Sequence, residues 1–233
     1  MNVIINADDF GYSKVFNAKM LDLLEKGAIK SVTVLVDRLD SAQSGQVSEL
    51  KGLHEAKGVG VGIEIEFGSP DADMKEIRRQ YDKFLSIFGF KPSHFNIHTP
   101  KALMEMADSE AILKRLAHKV LEFAHEQNLP MNNDPDYGIS NFHGVKTTEP
   151  LIIGTPLSLD ELEARIKRME KGKTYEIIFH PGEYDPGCPS SLNAERKKDY
   201  DKVLILKDFI ESSGGTITSY LAMKGKDTRS KSW

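Results

Sequence analysis

The chain opens on Val3-Ile4-Ile5-Asn6-Ala7-Asp8-Asp9-Phe10-Gly11, an apolar run that ends in a polar, acidic turn. A short apolar run closed by turn residues reads as a buried strand. Val15 to Glu25 has helical spacing and stops at Gly27, a residue suited to a helix end. The same strand-then-helix unit recurs along the chain. Val32 to Val36 is β-branched, Val59 to Phe67 alternates, and His94 to His98 is a short strand closed by Thr99-Pro100. Tyr175 to Phe179 stops at His180-Pro181-Gly182, and Thr216 to Tyr220 is the last strand. Helical spacing marks Met74 to Phe88, Ile112 to Ala124, Leu162 to Met169 behind a Ser158/Glu161 capping box, and Asp199 to Ser212. Strand alternating with helix implies a parallel sheet with crossover helices, as a closed (β/α) barrel or an open doubly wound sheet. Both place functional groups beyond the carboxyl ends of their strands.

Composition narrows the function. The 233 residues are 39% hydrophobic and 28% charged, the balance of a globular domain. Lys and Arg number 31 against 35 Asp and Glu, a net charge of −4, which argues against a general nucleic-acid binder. No apolar run is long enough for a transmembrane helix, and the first residues do not read as a signal peptide. A single cysteine, Cys188, excludes an internal disulfide and a Cys-based zinc cluster. A cytoplasmic protein is expected, with residues 1–223 as one domain and 224–233 as a polar, loose tail.

Polar residues collect at the strand ends. His94, Asn96 and His98 share one strand face, with Phe95 and Ile97 on the other. Imidazoles spaced in this way suit a divalent metal or a surface edge strand. Gly60, Gly62, Glu64 and Glu66 share a face of the alternating strand. Pointing into a barrel, those glutamates need a metal, an amine or a basic side chain as partner. Asp8-Asp9 reads as a cation site or as a helix-capping turn. His180, at the end of an apolar strand, is placed for proton transfer or is a turn residue. His54, His118 and His125 fall in charged helical contexts, and His143 in a loop.

Together these stretches resemble the YdjC-like carbohydrate deacetylase family. The resemblance rests on Asn6-Ala-Asp-Asp-Phe-Gly-Tyr-Ser with Asn17, on Gly62-Ile-Glu-Ile and on Pro92-Ser-His-Phe-Asn-Ile-His. It also rests on Glu176-Ile-Ile-Phe-His-Pro-Gly and on Arg196 beyond it. It implies a single-domain α/β fold, a distorted (β/α) TIM-like barrel with parallel strands. It implies one divalent metal ion, Mg, Zn or Mn, held by Asp9, Glu64 and His98. Asp8 is then the general base, His180 the proton donor and a metal-activated water the nucleophile. His94, Asn96 and Arg196 would bind the substrate, a small acetylated sugar or oligosaccharide. No nucleic acid or membrane is implied as a partner, and a homodimer stays open. Three positions depart from the family pattern. Glu64 stands where a His is usual, Asn96 where an Asp is usual, and Thr99-Pro100 where Gln-His is usual. Another metal-dependent barrel enzyme acting on a sugar, or a carbohydrate-binding relative without catalysis, are the alternative readings.

Overall fold

In the computed structural model, which describes residues 1–99, 101–137 and 144–223, the opening run becomes β1 (Asn2–Phe10), buried from Val3 onward. It is joined by β2 (Ser31–Val34), β3 (Gly60–Glu66), β4 (Phe95–His98), β5 (Ile152–Ile153), β6 (Thr174–Phe179) and β7 (Thr216–Thr218). They form one seven-stranded sheet in the order β4-β3-β2-β1-β6-β5, with β7 also on β1. Every pairing between these strands is parallel. β6 pairs with residues 2–7 of β1, and the other edge of β1 is shared, residues 2–4 with β7 and residues 6–10 with β2. Residues 130–133 span the gap between β4 and β5. Phe95 N donates to Pro130 O at 2.9 Å, and Leu151 N to Asn133 O at 2.8 Å. The result is a distorted (β/α) barrel with a curled sheet left open between β4 and β5.

The helices are α1 (Lys14–Glu25), α2 (Ser44–Lys57), α3 (Met74–Phe88), α4 (Lys101–Met104), α5 (Ser109–Gln127), α6 (Leu159–Ile166) and α7 (Arg196–Ser212). α3 shows how sequence sets such an element. Asp73 caps its start by accepting from Lys75 N and Glu76 N, Ile77, Tyr81, Phe84 and Phe88 are buried, and Gly89 ends it at φ 79°. α2 escapes the sequence reading because its stripe is thin, with only Leu50 and Leu53 buried. β2 stops at Val34 rather than Val36, and residues 36–38 turn into a 3₁₀ segment. Among the described residues no helix is long and apolar enough to cross a membrane. The expected tail at 224–233 and His143 lie outside the described residues.

The strands bury both faces, as parallel strands under helices must. Val32, Val34, Val61, Ile63 and Ile65 join the hydrophobic core. The other face carries Ser31 and Thr33 from β2, and Gly60, Gly62 and Glu64 from β3, all buried. Gly62 is glycine for a reason of space. A Cβ there would lie 2.3 Å from Cε1 of His94, so the imidazole occupies the volume a side chain would need. Gly62→Ala is therefore expected to cost about 1–3 kcal/mol, the usual scale of overpacking. Chemical denaturation checks this, and an unchanged midpoint would mean that the ring yields without strain.

Candidate metal centre

Neighbouring residues on a strand point to opposite faces, so Asp8 and Asp9 should diverge. A bulge between Ala7 and Phe10 breaks the register with β2, and Asp9 adopts φ 74°. Left-handed backbone is uncommon outside glycine, though Asp tolerates it better than most residues. The bulge brings both carboxylates into one cavity of about 520 Å³. It also aims the Asp9 N–H at Glu64 Oε2, 2.9 Å away.

Glu64 comes from the inner face of β3, and His98 from the end of β4. One ligand atom each from Asp9, Glu64 and His98 lies within 4.8 Å of the others. His98 Nδ1 is 3.1 Å from Asp9 Oδ1 and 3.3 Å from Glu64 Oε1. Asp9 Oδ1 is buried without a well-directed hydrogen bond, the condition of an atom prepared for a ligand. Two carboxylates and one imidazole are a donor set for a single divalent ion such as Mg, Mn or Zn, with coordination positions left for other ligands. The arrangement fits the metal implied above and leaves its identity open.

Charge around the cluster is balanced residue by residue. Burial raises the carboxyl of Asp9, but the close contact with His98 and the charges of His180 and Arg196 outweigh it and hold Asp9 well below the carboxylate range. Arg196 Nη2 meets Asp9 Oδ2 at 2.5 Å, and its guanidinium lies 3.9 Å from the Phe16 ring. Burial opposes the charged form of His98, yet the Asp9 and Glu64 carboxylates push its pKa up to about 11. Among the described residues Asp8 has no cation paired with it. Asn6 Nδ2 and Thr33 Oγ1 donate to its Oδ1 at 2.5 and 2.7 Å, and Asn96 Nδ2 donates to its Oδ2 at 2.7 Å. Burial first and the Glu64 charge second raise Asp8 well above the usual carboxylate value, and the charges of Glu176 and Asp9 add to this. Two of these charges, Glu64 and Asp9, are ones a bound divalent cation neutralises.

His180 lines the same cavity, its Nδ1 3.0 Å from Thr155 Oγ1. Burial lowers its pKa, Asp9 raises it and Arg196 lowers it further, for a net fall. Asn96 also lines the cavity, and its Oδ1 accepts from Asn132 Nδ2 at 2.8 Å. Two expected substrate contacts are placed elsewhere. Arg196 is fully buried, its Nη2 meets Asp9 and Ser190, and it backs the metal cluster and is not among the residues that line the cavity. His94 is fully buried, stacked on Tyr220 with ring centroids 3.8 Å apart. The face it shares with Asn96 and His98 runs down the barrel axis, so only the two later residues reach the cavity. Tyr220 in turn donates to Glu176 Oε2 at 2.5 Å. Sequence reasoning quoted Asn6 only as part of a motif, without a role, and missed Thr33, Asn132 and Thr155. Only Thr33 left a signal, since Ser31 and Thr33 alternate with Val32 and Val34.

No protein-family model matches the chain. A carbohydrate deacetylase from Clostridium beijerinckii is 25% identical over 222 residues, 82% of this chain and 85% of that protein. A chitooligosaccharide deacetylase from Enterobacter sp. (strain 638) is 25% identical over 234 residues, 85% of each chain. In fold, the chain is similar to a candidate cellobiose-phosphate cleavage protein from Enterococcus faecalis V583, with TM-score 0.74, 17% identity, and coverage of 96% of this chain and 98% of that one. The two sequence similarities support a relationship to the carbohydrate deacetylases, and the third shows a likeness of fold.

Two measurements test this centre. Glu64→Gln should weaken divalent-cation binding at least about tenfold by calorimetry, since even supporting residues of metal sites are worth 10–100-fold. Equal affinity would remove Glu64 from the ligand set. Burial pushes the Glu176 carboxyl from its ordinary 4.5 up to about 8, against the lowering effect of the Tyr220 hydroxyl. Between these two values the unfolded chain releases a proton that the folded chain keeps, so this contribution to stability declines as pH rises through that window. Glu176→Gln should therefore gain denaturation resistance relative to the parent between about pH 5 and about pH 8. A difference independent of pH would show that Glu176 ionises normally in the fold.

Proposed function

We propose that this protein is a metal-dependent hydrolase that removes an N-acetyl group from a small amino sugar or oligosaccharide. The observation that carries this reading is the convergence of Asp9, Glu64 and His98 on one point of a cavity that Asp8 and His180 also line. The substrate class comes from the relatives, which are a carbohydrate deacetylase and a chitooligosaccharide deacetylase. A volume of about 520 Å³ falls in the usual range for small-molecule sites. Leu151, Ile178 and Leu192 give the lining apolar surface that suits an acetyl methyl group and the faces of a sugar ring. Residues 1–223 form the catalytic domain on this reading, and the reaction is a cytoplasmic one.

Hydrolysing an amide requires deprotonating water, stabilising charge on the acyl oxygen and protonating the amine. Asp9, Glu64 and His98 would hold a divalent ion, which would supply Lewis-acid activation of water and of the carbonyl. Asp8 accepts the proton of the attacking water, aimed by the Thr33 hydroxyl and the Asn96 amide on its two oxygens. His180 donates a proton to the sugar nitrogen as the C–N bond breaks, because an amide anion leaves far too poorly. The acyl carbon keeps the oxygen of water and departs as acetate. Arg196 keeps Asp9 ionised and holds its outer oxygen, leaving the inner oxygen for the cation.

Acetate release from N-acetylglucosamine and short chitooligosaccharides, with added Zn, Mn or Mg, tests the proposal. Metal-dependent release is expected, and Asp8→Asn should lower turnover by about 100-fold or more, the usual scale for a general base, while metal binding persists. Parental turnover in Asp8→Asn would exclude Asp8 as the base. No release with any of the metals would reject this substrate class.

A further inference from the structure

The loop after β5, the turn after β6 and the first turn of α7 meet beside His180. Lys202 ties them together. Its Nζ donates to the carbonyls of Gly154, Thr155 and Leu157 at 3.1, 2.8 and 3.2 Å and pairs with Asp199 Oδ1 at 2.9 Å. Asp199 is fully buried. Its Oδ2 accepts from the backbone N–H of His180 at 3.0 Å and from Thr155 Oγ1 at 2.6 Å.

A threonine hydroxyl carries a single proton, and an ionised carboxylate can only accept. The Thr155 proton is therefore committed to Asp199. What remains on Oγ1 is acceptor capacity, and the group facing it at 3.0 Å is His180 Nδ1. That nitrogen must carry a hydrogen, because two acceptors cannot share this contact. The other hydrogen bond of a histidine ring usually fixes which of its nitrogens does the chemistry.

We propose that Thr155 and Asp199 are positioning residues that lock His180 as the Nδ1–H tautomer, so that Nε2 is the ring nitrogen that exchanges a proton with the substrate. The lock makes donation unambiguous. When Nε2 is loaded, both ring nitrogens bear hydrogen, and the Nδ1–H bond onto the Thr155–Asp199 pair spreads the positive charge toward a buried carboxylate. When the proton has passed to the amine, the ring returns to one defined neutral form. The donor role rests on the function proposed above, whereas the tautomer does not.

Nitrogen-15 NMR of the histidine rings in the whole protein reads the tautomer directly, with His180→Gln assigning the signal. The neutral His180 ring should show a protonated Nδ1 in the parent and in Thr155→Ser, which keeps the hydroxyl. It should become a mixture of tautomers in Thr155→Val, and in Thr155→Ala if the valine variant fails to fold. Acetate release from chitooligosaccharides should follow the spectrum. We expect kcat to fall about 10–100-fold in Thr155→Val, within the span of general acid–base effects, with KM little changed and recovery in Thr155→Ser. A Thr155→Val spectrum identical to the parent's, or an Nε2–H ring in the parent, overturns the lock. Full turnover in His180→Gln would reject the donor role and leave the tautomer result standing, so the two failures are distinguishable.

Discussion

Asp8, Asp9 and Glu64 are buried together at the carboxyl ends of two strands, and the cost of confining that much negative charge organises what surrounds them. Desolvating an unpaired carboxylate is prohibitive, so each has its own remedy. Asp9 receives a buried guanidinium and an imidazole. Glu64 receives the Asp9 N–H and the His98 imidazole. Asp8 receives only neutral donors. The remedies divide the chemistry. A carboxylate held by cations stays ionised and is a good ligand, whereas one held by amides and a hydroxyl keeps its affinity for a proton. Two aspartates adjacent in sequence thereby acquire opposite acid–base character, the usual way in which environment assigns roles to like groups.

Beneath this charged layer lies a nearly neutral one. His94 stacks on Tyr220, Tyr220 donates to Glu176, and Ser93 Oγ meets His94 Nδ1 at 2.8 Å. Flat rings in contact resist sliding, and Gly62 lets the His94 ring approach the β3 backbone closely. This platform sits between the strands that carry Asp8, Glu64 and Asn96. It fixes the spacing of their side chains.

The barrel was legible because its strands and helices each obey one strong period. The alternation in β3 and the apolar stripe with its caps in α3 suffice to place both. α2 was not legible because its buried stripe is only two leucines, and β5 was not because two residues carry no period. At the site, the strand ends pointed to Asp8, Asp9, Glu64, His98 and His180 because charge there has no packing explanation. Depth was hidden. A period of two says which face His94 and His98 share but not how far along the barrel each lies, so a platform residue was read as a substrate contact. Arg196 was misread for a similar reason, since its partner is far away in the chain. The inward turn of Asp9 is one that alternation alone would deny, because the bulge that produces it leaves no mark in the sequence.

The Asp9–Arg196 pair closes a separation of 187 residues. A chain made from its amino end produces β1 and its carboxylates first and the helix that carries Arg196 almost last. Through most of synthesis the acidic end of β1 therefore has no guanidinium to receive it, and burying it early would be costly. The guanidinium that backs the metal cluster is made only when the chain is nearly complete, so a partly made chain holds the Asp9 carboxylate without its buried cation.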